Sequence, residues 1–244
     1  MNILLNGANG KMSGEVIKAN NTHKIVCGFD VNESLDKQFP IYNDINKIKE
    51  KIDMIIDFSK PQATLSILNY ALKNKTPIVI ATTGFSKEEE KTIENYAKKI
   101  PIFKSANMSL SVNLMAKLAN EMASKLKDTD IEIIETHHNR KIDAPSGTAI
   151  LLADSINKAF DNQKEYNFNR LNQKKARDKN EIGFSSIRGG NIAGEHTVIF
   201  FSDNESLEIT HKAYNRQIFA EGALKAAEFL IQQKPGLYDM NNLL

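Results

Sequence analysis

Two histidines, an arginine and a lysine fall within the five residues His137-His138-Asn139-Arg140-Lys141. That concentration of donors makes a clamp for a small polyanion, and histidine is the usual proton donor near neutral pH. The chain continues Ile142-Asp143-Ala144-Pro145-Ser146-Gly147-Thr148. Pro145 sets a turn. Ser146, Gly147 and Thr148 open a helix whose unbonded N–H groups, with two hydroxyls, can bind a carboxylate. The same residue types also suit a basic surface loop whose Ser or Thr caps a helix. A metal site is not expected. Adjacent histidines on a strand point in different directions, Cys27 is the only cysteine, and no His-Glu-x-x-His spacing occurs.

A second candidate site lies near the start. Gly7-Ala8-Asn9-Gly10-Lys11-Met12-Ser13-Gly14 separates a predicted strand from a predicted helix. Gly7 permits a tight turn, Gly10 lets backbone N–H groups approach a pyrophosphate, and the helix N-terminus favours negative charge. Asp30 ends the next predicted strand, where an acid hydrogen-bonds the ribose of an adenine dinucleotide. A structural turn with a solvated Asp fits each feature separately; the pair favours a dinucleotide. Ser13 stands where a third glycine is common, and it is small enough to be tolerated. Val31 follows Asp30 where an arginine would neutralise the extra phosphate of NADP, so Coulomb repulsion favours NADH, partly offset by Lys11.

The elements that must carry these sites alternate through the first half. Predicted strands at Ile3–Asn6, Lys24–Asp30, Asp53–Asp57, Pro77–Ala81 and Pro101–Lys104 are separated by helical patterns such as Gln62–Lys73 and Lys87–Lys99. Near-continuous apolar strands between helices predict a doubly wound, Rossmann-like parallel sheet of α/β class. The second half predicts a helix over Ser111–Lys127, a strand over Ile131–Glu135 and a helix over Thr148–Phe160. Closely spaced strands follow at Gly183–Ile187, Glu195–Ser202 and Ser206–His211, and a last helix covers Ile218–Gln232. This implies a smaller α+β domain with a mixed or antiparallel sheet. Residues 161–181 are polar and aperiodic and read as a long surface segment.

The 244 residues carry 32 basic and 30 acidic side chains, a net charge of +2. That balance gives no basic footprint for nucleic acid or membrane. No apolar stretch reaches the roughly 18 residues of a membrane span, and the N-terminus does not read as a signal peptide. A cytoplasmic enzyme is the expectation. Cys27 reads as a small apolar residue in a buried strand.

The chain resembles the dihydrodipicolinate (4-hydroxy-tetrahydrodipicolinate) reductase family. The resemblance rests on Gly7–Met12, Asp57-Phe58-Ser59, Ala81-Thr82-Thr83-Gly84-Phe85, Asn107-Met108-Ser109, and the His137–Thr148 block. Arg188-Gly189-Gly190, Gly194-Glu195-His196 and His211-Lys212-Ala213 through Ala223 extend it in family order. It implies an NADH- or NADPH-dependent reduction of a cyclic dicarboxylate in the diaminopimelate and lysine pathway. His137 would be the proton donor and Lys141 the second catalytic group. His138, Ser146, Gly147 and Thr148 would bind substrate. Gly7, Ala8, Asn9, Gly10, Lys11, Met12 and Asp30 would hold the cofactor. Phe58, Ala81, Thr82, Thr83, Ser105, Ala106, Asn107 and Met108 would line its nicotinamide side. The resemblance further implies a dinucleotide domain over 1–107 completed by 215–244. It also implies a substrate and tetramerisation domain over 108–214 and a homotetramer; the 161–181 segment reads either as an arm in that contact or as a disordered loop. Asn139, Ser111, Asn215 and Ala81 depart from the family pattern without removing a catalytic group.

Two other readings compete. One is a related two-domain dehydrogenase acting on an amino or imino dicarboxylate, which the His137–Thr148 block disfavours. The other is a dinucleotide-sensing regulator, which would be free to lose His137 and Lys141.

Overall fold

The computed structural model describes residues 1–34, 38–171 and 173–244. They run β1 (Asn2–Asn6), α1 (Lys11–Ala19), β2 (Lys24–Phe29), β3 (Ile41–Tyr42), β4 (Met54–Asp57), α2 (Pro61–Asn74), β5 (Ile78–Ile80), α3 (Lys87–Ala97) and β6 (Pro101–Lys104). Next come α4 (Leu110–Lys125), β7 (Asp130–His137), α5 (Gly147–Lys158), β8 (Glu165–Asn167), β9 (Glu181–Arg188), β10 (Gly194–Phe201) and β11 (Ser206–Ala213). The chain ends with α6 (Gln217–Leu230) and β12 (Gly236–Tyr238). It divides into two compact units, Met1–Leu110 with Arg216–Leu244, and Ser111–Asn215.

The first unit is a seven-stranded sheet in the order β12-β6-β5-β4-β1-β2-β3. Its paired strands are parallel. Alternation along the strands feeds two cores. Ile3, Leu5, Met54, Ile56, Val79 and Phe103 pack with Val16 of α1 and with Ala220, Ala223, Ala227 and Leu230 of α6. Leu4, Cys27, Ile55, Ile78, Ile80 and Ile102 pack on the other face with Ile67 and Leu68 of α2 and Ile93 of α3. Covering both faces is what made these strands read as continuous apolar runs. The short β3 and β12, two and three residues long, were not predicted.

The second unit is a five-stranded mixed sheet, β11-β10-β7-β9-β8. β10 is antiparallel to β11 and β7, and β9 is parallel to β7 and β8. One face is covered by α4 and α5 through Met115, Ala119, Leu152, Ala153 and Ile156. β7 runs past Glu135, so His137 is its last residue and not part of a loop. Within 161–181, Glu165–Asn167 forms β8. Arg170 pairs with Glu132 at 3.1 Å and with Glu181, and Arg177 pairs with Asp130 at 3.3 Å and Glu132 at 3.4 Å. The segment is therefore tied to its own sheet by charges that carry no periodic signal; Asn172 lies outside the described residues.

Small residues let α6 approach the first sheet closely. A Cβ added to Gly222 would lie 1.7 Å from the Met108 carbonyl oxygen. Gly222→Ala is expected to destabilise the protein by about 3 kcal/mol, the upper range of overpacking penalties. Urea denaturation measures it; a midpoint within error of the parent would mean that α6 shifts at no cost.

Candidate active site

In the first unit the strand order reverses between β1 and β4, the place where open α/β sheets bind ligands at the carboxyl ends of their strands. Gly7, directly after β1, has φ +77°, and a Cβ there would stand 2.6 Å from the Phe58 carbonyl oxygen. Only glycine fits this turn. Its carbonyl accepts from Gly10 N at 2.9 Å and from Ser13 Oγ at 2.9 Å. Ser13 is thus more than tolerated, since its hydroxyl braces the turn. The first-turn N–H groups of α1, from Lys11 on, have no partner within the helix.

A cavity of about 330 Å³ opens at this reversal. Gly7, Gly10, Asp30 and Phe58 of the expected cofactor residues line it, with Asn6, Phe29, Val31, Ser59 and Lys60. Asp30 accepts from the Asn9 backbone N–H at 2.9 Å, and Val31 is exposed. Lys11 and Asn9 are exposed and Met12 is half-buried. The other expected residues form its frame or lie at neighbouring strand ends. Ala8 is buried against Gly28, where a Cβ would come within 2.4 Å of its own. Thr82, Asn107 and Met108 are buried, Ala81 and Ser105 are half-buried, and Thr83 and Ala106 are exposed.

Asp57, not among the expected site residues, is the hub of this region. Its Oδ1 accepts from Asn6 Nδ2 at 2.8 Å, Ser59 Oγ at 2.5 Å and Ser59 N at 3.1 Å. Its Oδ2 accepts from Thr64 Oγ1 at 2.6 Å and Thr82 Oγ1 at 3.0 Å. Burial pushes its pKa up against these hydrogen bonds. The carboxylate joins the ends of β1, β4, β5 and the start of α2, and so sets the strand-end edge of the cavity.

The second unit brings His137 and Ser146 together with three residues that were not predicted. Period-two alternation puts Glu135 and His137 on the same, helix-covered face of β7. Glu135 Oε2 lies 2.5 Å from His137 Nδ1. Arg188 on β9, the register partner of His137, grips both Glu135 oxygens at 2.8 and 2.6 Å. Burial raises the Glu135 pKa, but hydrogen bonds from Arg188, Ser186 and His137 outweigh it and hold the group at about 2. Burial lowers the His137 pKa and wins over the raising effect of Glu135; Lys141 and Arg188 lower it further.

His196 on β10 packs edge-on against His137 with ring centroids 5.1 Å apart. Its Nε2 is 2.8 Å from Ser146 Oγ, which also caps α5 by accepting from Ala149 N at 3.1 Å. Ser146 is only 2% exposed, so its hydroxyl is committed to cap and histidine. Gly147 and Thr148 form the first turn of α5. Lys141 Nζ bonds both Asp143 oxygens at 2.8 and 2.7 Å, and Asp143 O accepts from Arg188 at 2.8 Å. Backbone bonds His138 N to Ile192 O at 2.8 Å and Gly189 N to His137 O at 3.0 Å pin the loop base. His138 Nδ1 is buried without a hydrogen-bond partner among the described residues. Arg140 is held outward by Asn191 at 2.6 Å. The result is a continuous chain of contacts from Ser146 through His196, His137, Glu135, Arg188 and Asp143 to Lys141. Glu135 was legible only through the full length of β7. Arg188 and His196 carried a signal in the Arg188-Gly189-Gly190 and Gly194-Glu195-His196 blocks, which had no role attached.

A parallel sheet with a glycine turn at its reversal, joined in one chain to a mixed-sheet unit carrying a buried acid–imidazole pair, defines a two-unit fold of the nicotinamide oxidoreductase kind. The family models described as dihydrodipicolinate reductase, N-terminus and C-terminus, match residues 1–108 and 111–244. The chain belongs to the dihydrodipicolinate reductase family. It is 48% identical over 246 residues to the 4-hydroxy-tetrahydrodipicolinate reductase of Caldanaerobacter subterraneus subsp. tengcongensis, covering 99% of this chain and 97% of that one. It is 46% identical over 247 residues to that of Clostridium tetani, covering 99% and 96%. Its structure is similar to that of dipicolinate-bound dihydrodipicolinate reductase from Paenisporosarcina sp. TG-14, with TM-score 0.82, 25% identity, and 100% and 99% of the chains covered. Aspartate dehydrogenase from Thermotoga maritima, 11% identical with TM-score 0.54 over 96% and 97% of the chains, shares the fold alone. Among the described residues no helix is long and apolar enough to cross a membrane.

The site carries a stability signature. His196 is 4% exposed, and burial, then the neighbouring His137, push its pKa down to about 3. In the unfolded chain it titrates near 6.5. The unfolded state therefore binds the extra proton first. The contribution of His196 is complete above about pH 6.5 and is lost as pH falls towards 3, at up to about 1.4 kcal/mol per pH unit. His137 shifts in the same direction. His196→Asn is expected to flatten the acid-side slope of stability, measured by urea midpoints at a series of pH values. A slope equal to that of the parent would mean that His196 is not held neutral.

Proposed function

We propose that this chain reduces 4-hydroxy-tetrahydrodipicolinate to tetrahydrodipicolinate with NADH or NADPH, in the route to diaminopimelate and lysine. The observation that supports it most is the contact chain of the second unit. There a buried histidine, a lysine and the first turn of a helix occur together in a member of this family. The residues of the first unit fit a dinucleotide: Gly7 and Gly10 clear the backbone for a pyrophosphate, α1 offers N–H groups, and Asp30 takes a ribose hydroxyl. Phe58, Ala81–Thr83 and Ser105–Met108 line the nicotinamide side. The cofactor supplies a hydride to the substrate ring.

The residues of the second unit handle charge and the proton. Lys141 exchanges its Asp143 contact for a substrate carboxylate. The N–H groups of Gly147 and Thr148 and the His138 ring take the remaining substrate oxygens. The dianion raises the His137 pKa, offsetting burial, so His137 is protonated when substrate is bound. Once the ring 4-hydroxyl has left as water, the conjugated imine that remains takes the hydride, and His137 gives its proton to ring carbon of the enamine-like anion that forms. Residues 1–107 with 215–244 act as the cofactor domain and 108–214 as the substrate domain. The protein works in the cytoplasm as a homotetramer assembled through the open face of the mixed sheet, where Ile187 and Phe201 are exposed.

Turnover is tested by oxidation of NADH, and of NADPH in parallel, with substrate generated in place from pyruvate and aspartate semialdehyde by the preceding enzyme. Loss of absorbance above the no-enzyme rate is expected. Its absence with a folded protein that binds NADH would remove this substrate. His137→Gln is expected to lower kcat by about two orders of magnitude or more; an unchanged rate would take His137 out of the reaction. Because His137 is depressed in the free protein, kcat/KM should fall as pH rises through a value below about 6.5. The matching limb in kcat should lie at higher pH, and coincident limbs would mean that the substrate leaves the His137 pKa where it was. Asp30→Ala should weaken NADH more than NADPH, because it removes a ribose contact and a charge that repels the extra phosphate. Equal losses by fluorescence titration would show that Asp30 does not read that position.

A further inference from the structure

His137 is surrounded by charge from every element packed on it. Glu135 shares its strand, Arg188 comes from β9, His196 from β10 with His211 next across the sheet on β11, and Lys141 and Asp143 from the loop. Only Glu135 touches Nδ1 among the described hydrogen bonds. The other ring nitrogen faces Gly194, where an added Cβ would lie 3.0 Å from Nε2. His196 does not engage it: its Nε2 is held by Ser146, and its Nδ1 makes no hydrogen bond among the described residues.

We infer that Glu135 and Arg188 are positioning residues for the reaction: together they hold His137 in the Nδ1–H tautomer and make Nε2 the nitrogen that gives the proton. The kinetic part of this rests on the reductase reading above. The physical reason lies in the burial of Glu135, which is 1% exposed. A carboxyl so buried takes up a proton unless a cation or a dense set of donors is held against it. Once protonated it would donate to Nδ1, and the imidazole proton would move to Nε2, the wrong end. Arg188 prevents this with two hydrogen bonds, one to each oxygen. Ionised Glu135 accepts from Nδ1–H, so the neutral ring presents a lone pair at Nε2 and the protonated ring presents Nε2–H. In turnover the Nε2 proton passes to substrate carbon as the hydride arrives from NAD(P)H. The imidazolium becomes the neutral Nδ1–H ring, and solvent returns the proton.

The test uses the whole protein labelled with ¹⁵N-histidine. In the unliganded parent, above the His137 pKa, the His137 signals should show a protonated Nδ1 and an unprotonated Nε2. Glu135→Gln keeps the shape and removes the charge. It should lower the His137 pKa by about one unit or more, move the kcat/KM limb to lower pH by the same amount, and reduce turnover near neutral pH about tenfold or more. NADH affinity, which belongs to the first unit, should not change. Arg188→Lys should recover part of the rate that Arg188→Met loses. A residue with only a structural role would lower the melting temperature and the rate at every pH alike, leaving tautomer and limb in place, and that result overturns the inference. A parent His137 protonated at Nε2 overturns it too, without any variant having to fold. The expected tautomer and pKa shift in a protein that turns over no cyclic imine would keep the positioning pair and discard the reductase reading. Full turnover with the opposite tautomer would do the reverse.

Discussion

A carboxylate taken out of water must be given a cation or a dense set of donors, or it will not stay charged. The second unit is arranged around that constraint at Glu135. The alternation of β7 turns its side chain to the buried face of the sheet, and the register with β9 delivers Arg188 opposite His137. Satisfying one buried acid therefore fixes a strand pairing, a histidine ring and, through the Arg188 contact to the Asp143 carbonyl, the path of the loop that carries Lys141. Ser146 closes the other end of that loop by capping α5 and holding His196.

The first unit meets a different constraint. Its chain must turn sharply after β1 while the strand end of β4 passes within contact distance. Gly7 satisfies both, with a positive φ and no Cβ to meet the Phe58 carbonyl. Ser13 and Gly10 then bond back to the Gly7 carbonyl, so the turn and the first turn of α1 form one piece. A rigid turn at a sheet reversal is what an anion-binding helix end requires, because loose N–H groups would pay ordering entropy on binding.

How much of this was legible follows from the range of each signal. The β-α alternation, the glycine turn and the His137–Lys141 cluster are local patterns, and they were read in place. The ends of elements were less accessible. β7 continues through Thr136 and His137 because those residues pair with β9 and β10, and pairing partners far along the chain leave no local trace. β8 was missed for the same reason, in a polar segment whose order comes from Arg170 and Arg177 reaching acids on other strands. Asp57 was visible only as part of a family block, since a lone Asp at a strand end does not announce donors from Asn6, Thr64 and Thr82.

The two buried carboxylates show what distinguishes support from chemistry. Asp57 is 0% exposed and Glu135 is 1% exposed. Asp57 receives only neutral donors, and burial still pushes its pKa up. Glu135 receives a guanidinium and an imidazole, and its pKa falls to about 2. Neutral donors hold a carboxyl in place without cancelling its charge, which suffices for a hub joining strand ends. A guanidinium secures the negative charge itself, and that charge is felt by the next group along. The His137 pKa is therefore set by opposed influences, burial, Lys141 and Arg188 drawing it down and Glu135 lifting it. A dianionic ligand arriving beside it would raise the pKa of the ring, which couples proton uptake to binding.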